Sequence, residues 1–250
     1  MEQRLMRKVP LSAKYGIYIS EAHSFGTDAV LLSHFAADGK KGMTACDLGT
    51  GCGIIPMLLV RANAVKKVVG VDIQSAACEQ ARKTAEENSV CDIFSIVEGD
   101  LKDICPPLDK AAYDLVTCNP PYKAEGAGIV STSSADINAR HETECTLDDV
   151  CSAAKKLLRF GGRFCICQRP ERLADIITAM KNCGIEPKRL RNVAQRVGKE
   201  PWLILVEGRL GGKSGMRILP TLYIEEDKGK LSPEMIEIYG DYKEGHGDGV

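Results

Sequence analysis

No run of 18 or more apolar residues occurs in this chain, so nothing in it reads as a membrane-spanning helix. The N-terminus, MEQRLMRKVPLSAKYG, starts basic but has neither a continuous apolar core nor a small-residue cleavage site, which argues against a secretory signal. The expectation is a cytoplasmic protein without a membrane partner. No charge sign dominates either: a formal net charge of -1 with 44% hydrophobic residues describes a soluble globular chain. Eleven cysteines are present, yet no C-x-x-C pair, which removes the usual zinc and redox spacings. No metal is expected. Cys46, Cys118, Cys165 and Cys167 sit in apolar strand-like runs and Cys78 and Cys151 in helical patterns, where reduced thiols act as small hydrophobes. Cys52 and Cys118 lie close to the motifs below and would react only if exposed.

What is present is alternation. Six short β-rich runs, at 43–49, 66–73, 93–100, 113–119, 162–168 and 201–208, are separated by helical stretches IIPMLLVRANA, SAACEQARKTAEENS, TLDDVCSAAKKLLRF and RLADIITAMKNCG. Nearly continuous apolar strands imply a mostly parallel sheet covered by helices on both faces, a Rossmann-like α/β fold. Right-handed crossovers then bring the C-terminal ends of the parallel strands to one edge, where such sheets bind ligands. Before the first strand lie about 42 residues, in which FGTDAVLLSHFAADG reads as a helix with Thr27 or Asp28 as N-cap. After the last strand come a Gly- and cation-rich loop, GRLGGKSGMRILP, a candidate edge strand TLYIEED, a short helix SPEMIEIYG and a tail, DYKEGHGDGV, expected to be mobile. The division is a domain over residues 1–225, its helical cover near 20–38, and an extension over 226–250.

DLGTGCG follows the first of the six runs and opens a helix. Gly49, Gly51 and Gly53 permit a tight turn and close approach of a ligand. A dinucleotide fingerprint would place glycine at 54, which is Ile. Asp47, ahead of the glycines, would repel a pyrophosphate and attract a cationic amino acid moiety. The loop therefore favours S-adenosylmethionine over NAD. The next strand ends in Asp72, positioned for ribose hydroxyls, with Ile73 beside it for an adenine face. The third ends in Asp100, an acceptor for the adenine amino group, with Leu101 alongside. Each acid alone is also what a turn or helix cap would use; the set resembles motifs I to III of the class I methyltransferase fold, whose sheet has seven strands.

The fourth strand runs into Asn119-Pro120-Pro121-Tyr122. The two prolines remove two backbone donors, which frees carbonyls for something outside the sheet. An exocyclic amine on adenine is a poor nucleophile because its lone pair is delocalised. Held by the Asn119 side-chain oxygen, which also lies beside the cofactor, and by the Pro120 carbonyl, its lone pair is aimed at a methyl carbon. Pro121 stiffens the loop and Tyr122 supplies a stacking face. The bland alternative is a Pro-rich turn with a core Tyr. Asn-Pro-Pro-Tyr is similar to motif IV of enzymes that methylate planar NH2 groups: adenine, the guanine amino group, or a protein glutamine amide.

Within that group, FGTDAVLL and ARHE at 139–142 resemble the bacterial family that methylates N6 of adenine 37 in a valine tRNA, and the resemblance covers about residues 20–225. It implies a monomeric enzyme using S-adenosylmethionine, with Thr27 near the methionine end of the cofactor and an anticodon stem-loop as partner. Lys123 and Arg140 then either meet phosphate or remain solvated, as do the ion-pairing neighbours His141 and Glu142. His23 and His34 read as packed or solvent-facing. Between 181 and 217 nine cations, Arg209 and Lys213 among them, face three acids, a local surplus suited to phosphates. Its alternative is a solvated face scattered by the fold. A release-factor glutamine methyltransferase would carry a larger helical region before motif I, and a DNA enzyme would need length for a target-recognition domain. A guanine N2-methyltransferase of rRNA remains open. A non-catalytic RNA-binding or cofactor-sensing module would have no use for Asn-Pro-Pro-Tyr.

Overall fold

A computed structural model describes residues 6–120 and 145–240. Its centre is one sheet in which β3 (Met43–Leu48), β4 (Val65–Asp72), β5 (Phe94–Glu98), β6 (Tyr113–Cys118), β7 (Leu158–Gln168) and β8 (Ile185–Ala194) run parallel. The antiparallel β9 (Pro201–Leu210) is inserted between β7 and β8. From one edge the order is β5-β4-β3-β6-β7-β9-β8, after which the two-residue strands β10 (Arg217–Ile218) and β11 (Leu222–Tyr223) each pair with β8. The sheet therefore has nine strands where seven were expected, the surplus being these two short edge pieces.

Period-two alternation explains why both faces are covered. Ala45, Leu115, Cys165 and Leu205 enter one core, with α1 (Thr27–Ala37), α2 (Ile54–Arg61) and α3 (Ser75–Glu87). Their chain neighbours Cys46, Val116, Ile166 and Val206 enter the other, with α4 (Leu147–Leu157) and α5 (Leu173–Asn182). α4 starts as its sequence suggests: the Thr146 hydroxyl accepts from Asp149 N, and the Asp149 carboxylate accepts from Thr146 N. The segment Leu158–Phe160, read as the end of that helix, opens β7 instead.

Several elements had no local signal. β8, IEPKRLRNVA, interrupts its apolar alternation with charges, because its polar side chains find partners on other elements. β1 (Arg7–Pro10) and β2 (Gly16–Ile19) form a hairpin that docks on α3 rather than on a strand. There Asn88 accepts from Gly16 N and donates to Gly16 O, the Thr84 hydroxyl accepts from Tyr18 N, and Gln80 donates to the carbonyls of Tyr18 and His23. Past β11, a hairpin of β12 (Glu225–Asp227) and β13 (Lys230–Leu231) leads to α6 (Pro233–Tyr239), whose Met235, Ile238 and Tyr239 are buried. Residues 241–250, read as a mobile tail, lie outside the described residues.

α1 is corrected in one detail. Its N-cap is Gly26, so Thr27 and Asp28 belong to the first turn. The opposite end of α1 is fastened by a buried charge cluster. Arg163 donates to the Ala36 carbonyl and Arg189 to that of Phe35; both guanidiniums bond Glu207 Oε2, at 3.0 and 2.6 Å. Arginines at a helix C-terminus satisfy carbonyls the helix leaves open and complement its dipole. Among the described residues no helix is long and apolar enough to cross a membrane.

Candidate active site

Leu48 pairs with Val71 on one side and with Cys118 on the other, so the residues that follow, Gly49, Asp72 and Asn119, emerge together from three adjacent strands. The glycine loop is held from the neighbouring strand. Asp72 Oδ2 accepts from Gly51 N at 2.8 Å, while its Oδ1 accepts from Gln74 N at 2.9 Å and turns the chain into α3. A carboxylate has lone pairs left over after two such bonds. Gly49 and Gly51 have positive φ, and a Cβ on either would meet nothing within 4 Å, so the loop borders open space. Gly53 differs: a Cβ there would lie 2.9 Å from the Phe94 ring, so only glycine lets the loop settle against β5.

Asp47 is 1% exposed and its Oδ1 accepts the Thr117 hydroxyl at 2.6 Å. Oδ2 is buried without a hydrogen-bond partner. Burial pushes this carboxyl up to about 7, and the Thr117 hydroxyl only partly offsets it. Beyond β4, Ile73 is half exposed at the rim. Asp100 caps a short helical turn that contains Leu101, accepting from Lys102 N at 2.9 Å, and stands 3.6 Å from Lys102 Nζ. Asp100 and Leu101 are both partly exposed.

Asn119 and Pro120 lie just past the last paired residue of β6, partly exposed. Two side chains from distant elements meet the Asn119 amide. Nδ2 donates to Asp28 Oδ2 on α1 at 3.1 Å, and Oδ1 accepts from Cys167 Sγ on β7 at 3.0 Å. One residue earlier, Thr27 Oγ1 lies 3.3 Å from the Tyr239 hydroxyl at the end of α6. Neither Asp28 nor Cys167 was singled out for this site from sequence. Asp28 stood only as a candidate helix cap; the signal was its place in FGTDAVLL, whose span from Asn119 the chain order hides.

Pro121, Tyr122, Lys123, Arg140, His141 and Glu142 lie outside the described residues. His23 is buried and His34 exposed, as packing and solvent-facing roles require. Cys52 and Cys118 are buried, and burial pushes the Cys52 thiol up to about 12 and the Cys118 thiol well above its ordinary value, which leaves both unreactive.

The fold pairs part of the basic stretch: Arg189 with Glu207 and Asp38, Arg191 with Glu234, Arg196 with Glu225 and Lys181 with Glu186, four of its nine cations. Arg209 and Lys213 are exposed, but they are not brought to Asn119. β9 runs antiparallel: Val206 stands opposite Ile166, in the row of Cys118, and Arg209 lies three residues, about 10 Å, toward the other sheet edge. Lys213 follows it past that edge.

A glycine loop, carboxylates on successive strands and an amide on the neighbouring strand, gathered at the C-terminal edge of this strand order, define the architecture of a class I methyltransferase. Comparison with known proteins agrees. The family model "Methyltransferase small domain" matches residues 8–174, and the chain belongs to that family. A tRNA1(Val) (adenine(37)-N6)-methyltransferase of Porphyromonas gingivalis is 29% identical over 220 residues, covering 85% of this chain and 86% of that protein. A protein of the same name from Dickeya chrysanthemi is 25% identical over 226 residues, 88% of each. Among solved structures, a predicted O-methyltransferase from Agrobacterium tumefaciens superposes with a TM-score of 0.67 at 21% identity, over 86% of this chain and 96% of that one. The geranyl diphosphate C-methyltransferase of Streptomyces coelicolor, solved with Mg2+, geranyl diphosphate and S-adenosyl-L-homocysteine, gives a TM-score of 0.53 at 16% identity, over 72% and 78% of the chains.

Proposed function

We propose that this protein transfers a methyl group from S-adenosylmethionine to N6 of adenine 37 in a valine tRNA. One observation carries the chemistry: the Asn119 amide ends β6 beside the glycine loop, with Oδ1 an acceptor that takes the Cys167 thiol at 3.0 Å and the Pro120 carbonyl next in the chain. The substrate rests on the relatives' names together with the FGTDAVLL and Asn-Pro-Pro-Tyr segments.

The residues present fit the cofactor. The orphaned Asp47 Oδ2 is a buried acceptor suited to the ammonium group of an amino acid, and the open face of Gly49 and Gly51 lets a ligand approach the backbone. Asp72 keeps lone pairs for ribose hydroxyls, Ile73 and Leu101 flank an adenine, Asp100 accepts from its amino group, and Thr27 lies toward the methionine end. S-adenosylmethionine, when bound, supplies a methyl group on a positively charged sulfur. The protein's part is to hold the target amine. Asn119 Oδ1 and the Pro120 carbonyl each accept one N–H, which directs the lone pair and stabilises the positive charge that grows on nitrogen. Neither oxygen needs to take the proton, which leaves to water. Tyr122 stacks on the base, and Lys123 and Arg140 meet the backbone of the anticodon stem-loop. On this reading the enzyme works as a cytoplasmic monomer, with neither DNA nor a membrane as partner.

The test is nucleoside mass analysis of tRNA from a strain lacking the protein, with in vitro labelling of that tRNA by the purified enzyme. N6-methyladenosine should vanish from valine tRNA and return on labelling. Label in a release-factor glutamine or an rRNA guanine, with none in tRNA, would reassign the substrate. Asn119→Ala should abolish transfer and leave S-adenosylmethionine binding within about twofold, since the lost acceptor serves the amine; full activity would remove the acceptor role.

A further inference from the structure

An amide is useful to an amine only by its oxygen end, and nothing in an isolated asparagine decides which end faces outward. In this fold two contacts decide it. The Asp28 carboxylate accepts and cannot donate, so Asn119 must present Nδ2 to it, as it does at 3.1 Å. On the other side the Cys167 thiol donates to Oδ1 at 3.0 Å, which agrees with that orientation. Asp28 is itself steadied: its Oδ1 accepts from Ala29 N at 2.9 Å in the first turn of α1.

We propose that Asp28 is a positioning residue for the methyl transfer, acting through Asn119. It fixes the amide with Oδ1 as the acceptor. Its negative charge also polarises the amide, so that Oδ1 carries more electron density when the target nitrogen becomes cationic. The thiol of Cys167 holds the place of one substrate N–H until the base arrives. This rests on the reading of the site as an amine methyltransferase, in which the nitrogen lone pair forms the N–C bond, the S–C electron pair returns to sulfur and one N–H proton passes to water. It explains why a helix laid across the sheet contributes an acid to a site otherwise built from strand ends.

The test uses full-length protein, valine tRNA from the deletion strain and four variants. Asp28→Ala should lower kcat about 10- to 100-fold and leave S-adenosylmethionine affinity, measured by calorimetry, within about twofold, because only the amine's acceptor is disordered. Asn119→Asp places two carboxylates side by side and should be inactive; the exchanged pair Asp28→Asn with Asn119→Asp restores a donor and an acceptor, and should exceed either single variant. A readout independent of turnover is the side-chain 15N–1H pair of Asn119 in the free protein, which should move on Asp28→Ala and hold still on a distant surface change. Wild-type kcat in Asp28→Ala, unmoved Asn119 resonances, or a parallel loss of cofactor affinity would overturn the role. A wild-type enzyme that labels no tRNA but labels another amine would overturn the tRNA assignment alone, and the resonance shift would still judge Asp28.

Discussion

Replacing Asp47 by asparagine removes one ionisable group from the site and little else, since an amide oxygen can still accept the Thr117 hydroxyl. In the folded free protein burial holds this carboxyl up to about 7, against 3.8 for an unhindered aspartate. As pH rises through about 4 the unfolded chain loses that proton while the folded one keeps it, so stability falls until about pH 7 and then levels. Roughly three units at about 1.4 kcal/mol each is about 4 kcal/mol, all of it lost by neutral pH. Asp47→Asn should therefore match the wild type near pH 4 and exceed it by up to about 4 kcal/mol at pH 8, or about 10 °C in Tm. Urea denaturation across that range measures the difference directly. The same variant should bind S-adenosylmethionine more weakly, and wild-type binding near pH 6.5 should release protons, visible as heats that vary with buffer ionisation enthalpy. Parallel stability curves for the two proteins would refute the reasoning, as would an asparagine variant less stable at pH 8.

Cys167→Ser should reduce kcat/KM about fivefold, because a hydroxyl donates to Asn119 Oδ1 more strongly than a thiol and competes with the substrate N–H, whereas Cys167→Ala should not; steady-state kinetics on tRNA separates them. Glu207→Ala should destabilise by about 3 kcal/mol or more, since it strands two buried guanidiniums at the end of α1; urea midpoints report it. Arg61→Ala removes donors to the carbonyls of Leu11, Ile238 and Tyr239, and should cost about 2 kcal/mol while opening α6 to proteolysis first.

The Rossmann-like architecture was readable because it is written in neighbours. Apolar runs of strand length alternate with helical periods, and the doubling of core faces along Ala45-Cys46 or Cys165-Ile166 follows from successive side chains pointing opposite ways. β8 escaped notice for a reason that is equally physical: its Arg189 is a core residue only because Glu207 and Asp38 come to meet it. The same kind of pairing takes four of the nine cations out of the surplus that charge counting suggests.

Motif chemistry behaved alike. Asp47, Asp72, Asp100 and Asn119 could be assigned to strand ends from the chain alone, since a parallel sheet has only one edge on which those ends can lie. Residue order could not say that Asp28, 91 positions from Asn119, would orient its amide, nor that Tyr239 would reach Thr27 across 212. Periodicity and turn chemistry are local energies, settled within a few residues, whereas a hydrogen bond between remote side chains exists only after the sheet and its covering helices have closed the intervening loop.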